Sequence, residues 1–396
     1  MKEPVSRGDV IELRIGTIAH GGHFIAHWGG RTFFVRHGIP GELVRVQVTD
    51  VTSKISRADA IEILEPSPSR VPVECSVAGP GGCGGCDFLH IAPVAQRSLK
   101  TTVLRDALIR QGGLTADEVD QFEVEALDDR SLGWRSRVRW SIDSQGYPGM
   151  HRHRSSEIVQ IDECLLGMPE ISRVPAIEAH ESITAVRGGD GEVTVIADGQ
   201  VIAGRSRVTE FVDGDEWRIS AKGFWQVHPA LADRLVDLAC ADVKPGEHWW
   251  DLYSGAGLFS RYLAEAVGDG RVDSVEAYTA SVRDARRNLH ECRQVAVHQA
   301  DVATWLETAP GRPDGVVLDP PRSGAGEKVV TLIAERQPRT VVYVACDPVA
   351  LGRDLAIFRA HGYRLSALTA LDAFPMTHHF ETVATLTAEI DGHPII

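Results

Sequence analysis

HWWDLYSGAGLFS, residues 248–260, reads as a strand that runs into a glycine-rich turn and the start of a helix. Small residues at Gly255, Ala256 and Gly257 let the backbone approach a ligand at that helix start. From about residue 230 the same rhythm continues. Strand-like segments RVDSVEA (271–277), VAVHQAD (295–301), DGVVLDPP (314–321), TVVYVACDP (340–348), YRLSALTALD (363–372) and ETVATLTAE (381–389) follow, most of them separated by amphipathic helical stretches. This alternation predicts an α/β fold, a doubly wound parallel sheet with an antiparallel final pair.

Ligands of open α/β sheets bind outside the carboxyl ends of the strands, and several chemically distinctive residues fall at such ends. Glu276 closes the second strand, where a carboxylate can accept hydrogen bonds from both hydroxyls of a ribose. Asp301 and Asp319 close the third and fourth. The turn lacks the third glycine of the dinucleotide fingerprint, because Ser260 stands there. A cofactor without a pyrophosphate needs no such cradle. The set of Gly255, Gly257, Glu276 and Asp319 therefore favours S-adenosylmethionine over NAD.

Cys346 lies where the apolar strand TVVYVA breaks at Asp347-Pro348, a position that would present its thiol at the cleft mouth. Taken alone, a cysteine at a strand end is usually packing. Its neighbours change that reading. Asp319-Pro320-Pro321-Arg322 closes the preceding strand, and DAFPMTHHFETVA (372–384) brings Glu381 to the same rim just before the final strand. Cys346 is thus a candidate nucleophile and Glu381 a candidate proton acceptor.

Residues 1–66 alternate apolar and polar residues, with turns at Gly21-Gly22, Gly29-Gly30 and Pro40-Gly41, and predict an OB-like β-barrel. A proline-spaced linker, a cysteine-bearing segment and a helix near 92–112 come next, then a strand-rich region. The expected division is a barrel at 1–66, a mostly β central domain at 67–220 and the α/β domain at 221–396. A net charge of −14 excludes nucleic-acid binding through overall charge, although binding needs only local basic patches. One such stretch is 130–154, with six arginines against one aspartate. With no long apolar run and no secretory leader, the expectation is a cytoplasmic protein without membrane contact.

Seven cysteines make disulfides an unlikely use in such a chain, so metal or catalytic roles come first. Cys75, Cys83 and Cys86, with Cys164 in IDECL, form a soft four-thiolate set. Spacing alone leaves zinc and an iron–sulfur cluster equally open.

Several motifs occur together in one order: GDVIELRIGTIAHGGHFIAHWGGRTFFVRHGIPGE, CGGC, KGFWQVHP, DLYSGAG, LDPPRSG, YVACDP and FPMTHHFETV. In this the chain resembles, over nearly its whole length, the RNA uridine-C5 methyltransferases that carry a TRAM barrel. The resemblance implies a Rossmann-like class I methyltransferase domain that uses S-adenosylmethionine to form 5-methyluridine. Cys346 would be the nucleophile and Glu381 the base, while Gln226, Tyr253, Glu276 and Asp319 would touch the cofactor or the target base. It also implies a 4Fe-4S cluster on Cys75, Cys83, Cys86 and Cys164, and RNA as partner, with 23S rRNA ahead of tRNA and a monomeric enzyme. Two departures stand out: Leu258 replaces a frequent Asn in the cofactor loop, and Asp347 replaces a frequent Asn after the nucleophile. A radical methylthiotransferase would need a CxxxCxxC triad that is not in the sequence. An adenine-N6 methyltransferase would have no use for Cys346 together with Glu381. A catalytically dead RNA-binding protein has no reason to keep both.

Overall fold

Alternating apolar residues roll the first strands into a closed barrel. In the computed structural model, which describes residues 3–390 and 393–394, these are β1 (Val10–Ala19), β2 (His23–Trp28), β3 (Arg31–Arg36), β4 (Leu43–Val51) and β5 (Ser56–Glu65), in the order β1-β2-β3-β5-β4. Phe24, Phe33, Val35, Val44, Val46 and Ala58 fill its interior. Closure leaves no free sheet edge.

After the linker comes α1 (Pro93–Arg110), begun by a proline whose missing N–H costs nothing in the first turn. The short α2 (Ala116–Val119) carries a capping box between Thr115 and Glu118, and β6 (Val124–Ala126) follows. An antiparallel sheet then forms from β7 (Arg137–Ile142), β8 (Pro148–His151), β9 (Ile158–Gln160), β10 (Ser182–Arg187), β11 (Val193–Ala197) and β12 (Gln200–Ala203). The hairpin β13 (Arg207–Val212) and β14 (Asp215–Ser220) stands apart from it.

The remaining elements are α3 (Leu231–Cys240), β15 (His248–Leu252), α4 (Leu258–Val267), β16 (Arg271–Glu276), α5 (Thr279–Asn288) and β17 (Val295–Gln299). Then come α6 (Val302–Thr308), β18 (Gly315–Leu318), α7 (Gly326–Glu335), β19 (Thr340–Ala345), α8 (Pro348–Ala360), β20 (Tyr363–Asp372) and β21 (Glu381–Ile390). They build one sheet in the order β17-β16-β15-β18-β19-β21-β20-β6. The chain winds one way from β15 to β17 and the other way from β18 onward, so the crevice at the carboxyl end of β15 is the topological switch point.

As the sequence predicts, the last two strands, β20 and β21, pair antiparallel; β21 runs against the sheet and inserts between β19 and β20, which are parallel to each other. One feature departs from the sequence reading. Residues 93–126, placed with the central region on sequence, dock instead on the α/β sheet. There β6 pairs in parallel with β20, and buried Lys100 of α1 donates to Asp372 at 2.5 Å. Among the described residues no helix is long and apolar enough to cross a membrane.

Candidate active site

The turn after β15 carries the strain of a ligand loop. Tyr253 adopts φ 63°, a left-handed conformation uncommon for a side chain of that size, and Gly255 and Gly257 sit at 56° and 91°. The left-handed φ at Gly257 favours glycine, and a Cβ there would also press to 2.7 Å from Leu289 Cδ1; one on Gly255 would meet nothing within 4 Å. The Gly255 N–H donates to Glu276 Oε2 at 2.9 Å and the Tyr278 N–H to Oε1 at 2.6 Å, which fixes the Glu276 carboxylate across the crevice. Asp251, fully buried beneath the turn, accepts from Ser260 Oγ at 2.5 Å. Burial pushes its carboxyl up to about 7. Burial and the nearby Asp251 charge likewise lift Asp319 to about 7. Asp301 uses Oδ1 to cap α6, accepting from the Thr304 N–H and hydroxyl.

Cys346 and Glu381, the candidate nucleophile and base, meet because β19 and β21 are antiparallel neighbours. Ala345 lies opposite Thr382, so the residues just beyond, Cys346 and Glu381, emerge at the same end of adjacent strands. Thr382 Oγ1 donates to the Ala345 carbonyl at 2.7 Å and holds this register. β18 flanks β19 on the other side, so Asp319 and Arg322 face the same point. The Cys346 thiol is half-buried, not sealed in the sheet. Burial, then the charges of Glu381 and Asp319, push it up to about 12, and the Arg322 guanidinium pulls the other way. Glu381 is buried, and burial with the Asp319 charge raises its carboxyl well above the usual range.

Asp347 caps α8, accepting from Val349 and Ala350 N–H groups, and pairs with His20 of the barrel at 3.0 Å. Burial opposes its charge, but His20 and the two N–H groups hold its carboxyl down at about 2. The other departure, Leu258, opens α4 and packs into the core. Gln226 is buried in the connector between β14 and α3. Phe224 beside it is 71% exposed.

The loop between β20 and β21 is anchored from three sides. Lys100 Nζ donates to the Phe374 carbonyl as well as to Asp372, and Gln96 accepts from the Met376 N–H at 2.9 Å. Asp87, next to Cys86, accepts from His378 Nδ1 at 2.6 Å and lies 3.5 Å from Arg36 of the barrel. Sequence reasoning missed the roles of Lys100, Asp87, His378 and His20: Lys100 and Asp87 stand outside the motifs, and the partners of all four are remote in the chain.

Cys75, Cys83, Cys86 and Cys164 line a single cavity with Leu89, Met150 and other apolar side chains. Burial and the adjacent sulfurs raise the Cys86 thiol, and burial raises Cys83. Gly84 is required beside them, because a Cβ there would lie 2.6 Å from the His153 nitrogen. Among the described residues no three His, Cys, Asp or Glu side chains close on a single metal ion. Of the six arginines in 130–154, most are engaged inside the protein: Arg130 on Asp128, Arg137 on the carbonyls of Ala221 and Gly223, Arg152 on Glu157, and Arg135 over the Trp134 ring.

Switch-point turn, pinned acidic residue and strand order together define a class I methyltransferase domain. Comparison with known proteins makes the assignment narrower. The family profile for tRNA (Uracil-5-)-methyltransferase matches residues 312–389, and that for the TRAM domain matches residues 4–61. An uncharacterized RNA methyltransferase of Streptomyces avermitilis is 40% identical, over 97% of this chain and all of the relative; one from Streptomyces coelicolor is 39% identical over 99% and 96%. The chain belongs to the RNA (uracil-C5)-methyltransferase family, whose enzymes use S-adenosylmethionine. The same fold is seen in the Pyrococcus abyssi tRNA (uracil-54, C5)-methyltransferase solved with S-adenosyl-L-homocysteine. Its TM-score is 0.73 at 23% identity, over 95% of this chain and 99% of that one.

Proposed function

We propose that this protein methylates carbon 5 of a uridine in 23S rRNA through a transient bond between Cys346 and the pyrimidine. The observation that carries the reading is the emergence of Cys346 and Glu381 side by side at the ends of β19 and β21, with Asp319 and Arg322 facing them. Carbon 5 of uracil is too weak a nucleophile to react unaided. Addition of the Cys346 thiolate to carbon 6 converts the ring to an enolate, whose carbon 5 forms the new C–C bond. S-adenosylmethionine supplies the methyl group as a sulfonium electrophile. Glu381 then accepts the proton of carbon 5, the double bond re-forms, and Cys346 leaves. A carboxyl raised well above its usual range is a correspondingly strong base once it has given up its proton, and Arg322 is the charge that favours that state.

The cofactor fits the residues present. The open space above Gly255, the pinned Glu276 carboxylate and the carboxyl of Asp319 suit a ribose and a cationic sulfonium. Tyr253, Gly257, Gln226 and Asp301 complete the proposed cofactor and base contacts. The four-cysteine cavity fits a 4Fe-4S cluster, whose job here is to pin the β8–β9 region against the segment carrying Asp87. The union of barrel and cysteine segment supports rRNA as the target; tRNA is the alternative favoured by the name of the matched family.

Cys346→Ala should abolish methylation while S-adenosylhomocysteine still binds. Glu381→Gln should methylate and then stall, leaving an RNA–protein adduct that migrates as a shifted band on a denaturing gel. Full turnover in the first variant would sink the mechanism. Mapping 5-methyluridine in rRNA and tRNA from cells lacking the protein identifies the target.

A further inference from the structure

The outer face of the barrel bears a cation cluster that the reaction above does not use. On β3, Phe33 and Val35 point into the barrel, so Phe34 and Arg36 point out; on β5, Ser56 and Ala58 point in and Arg57 points out. Phe34 pairs with Arg57 and Arg36 with Asp59 in parallel register, and His23 opens β2 on the same face, its ring 6.2 Å from that of Phe34. The turn between β8 and β9 lies over this face. Its His153 ring is 5.3 Å from that of His23, and Arg154, held at φ 53°, is close enough to Arg57 and Arg36 for each to oppose its charge.

The cluster is built and incompletely satisfied. Arg36 is only 7% exposed, yet its Nη2 has no hydrogen-bond acceptor; Arg57 Nε and His153 Nε2 are buried and likewise unpaired. Such orphan donors are rare in folded proteins and call for an acceptor. The nearby carboxylates do not supply it. Asp87 gives Oδ2 to His378, and its Oδ1 forms an ion pair with Arg36 Nη2 at 3.5 Å but no hydrogen bond; Asp50 reaches one nitrogen of Arg57 at 3.4 Å, and burial raises the Asp59 carboxyl toward its neutral form. Arg154 has no carboxylate partner among the described residues.

We propose that Arg36, Arg57 and Arg154, with His23 and His153, form a receptor for a backbone phosphodiester of the bound RNA, at the seam between the barrel and the β8–β9 turn. A phosphodiester offers two anionic oxygens to several donors at once, and charge-assisted bonds of this kind are the strong ones. The site adjoins the catalytic rim through Arg36, Asp87 and His378, so a phosphate seated here fixes how the strand enters the cleft. The proposal rests on the reading that RNA is the substrate.

The test uses the full-length protein and a fluorescent oligouridylate, with affinity measured by anisotropy across a salt titration. The double variant R57A/R154A should bind about tenfold more weakly, and each lost phosphate contact should reduce the slope of log affinity against log salt by about 0.7. R57K/R154K should retain the slope, and R110A, which removes a charge on α1, should change neither quantity. S-adenosylhomocysteine affinity should be unaltered in all of them, which separates a lost phosphate contact from a damaged fold. A double variant with the parent's affinity and slope, an equal loss in R110A, or a parent protein that does not bind the oligomer overturns the receptor. If instead the slopes change as expected but no uridine is methylated by the parent, the proposed function falls and the receptor stands.

Discussion

Lys100→Met should loosen the catalytic rim more than any surface change near it. Lys100 is 1% exposed, bonds Asp372 at 2.5 Å and the Phe374 carbonyl at 3.2 Å, and so ties α1 to the start of the loop that leads to Glu381. Burial pulls the ammonium below its usual range and Asp372 opposes this. Without Lys100, the Asp372 carboxylate stays 3% exposed and unpaired, a loss of about 3–5 kcal/mol. At about 1.4 kcal/mol per factor of ten, local opening of residues 373–380 should rise by about two to three and a half orders of magnitude. Hydrogen exchange of those amides, read beside global thermal unfolding, measures it. Asp372→Asn should be milder, because a buried lysine can give up its proton and become neutral. A Lys100→Met variant within about 1 kcal/mol of the parent, or less harmful than Asp372→Asn, would refute the reasoning.

Other outcomes follow from the same geometry. In the free enzyme Cys346 is pushed up to about 12, so the thiolate fraction, and with it the rate of alkylation by iodoacetamide at that residue, should climb about tenfold per pH unit across the neutral and mildly alkaline range. Arg322→Ala removes the cation that favours the thiolate and should slow alkylation further; a plateau near neutral pH in the parent contradicts the assignment. Gly257→Ala should destabilise by about 1–3 kcal/mol, since the new Cβ meets Leu289 at 2.7 Å with φ at 91°; unchanged denaturant midpoints would count against this. His20→Ala should lower kcat/KM on RNA several-fold and leave S-adenosylhomocysteine affinity alone, because it breaks the barrel's bond to Asp347; equal losses in both would mean a wider disruption. The protein purified without oxygen should be brown and contain iron, and Cys164→Ala should lose the colour; a colourless zinc protein overturns the cluster.

The parts of this fold that could be read from sequence are those encoded locally. A strand ending in Cys346-Asp347-Pro348 is legible because proline suits a first helical turn and aspartate caps it, and the structure has Asp347 as that cap. The barrel was legible from period-two alternation between glycine turns. By contrast, β6 is three residues long, too short for any period, and its partner Ala370 lies near the far end of the chain. Lys100 has the appearance of one more charge on a helix until tertiary contact buries it. That β21 lies between β19 and β20 depends on which gap in the sheet it enters, and strand composition carries no information on that.

The antiparallel course of β21 also explains why Cys346 and Glu381 can meet at all. In a parallel neighbour, the residue before the strand would emerge at the opposite edge of the sheet from Cys346. Running β21 backwards brings its first residue, Glu381, beside the last turn of β19, and makes the loop before it, residues 373–380, part of the catalytic wall. That loop is gripped by Lys100 and Gln96 of α1 and by Asp87 of the cysteine segment, while Asp87 in turn faces Arg36 of the barrel. Glu381, the proposed base, is therefore positioned by regions that also border the proposed RNA path. A substrate that moves Arg36 of the barrel reaches the loop before Glu381 through two contacts, Arg36–Asp87 and Asp87–His378.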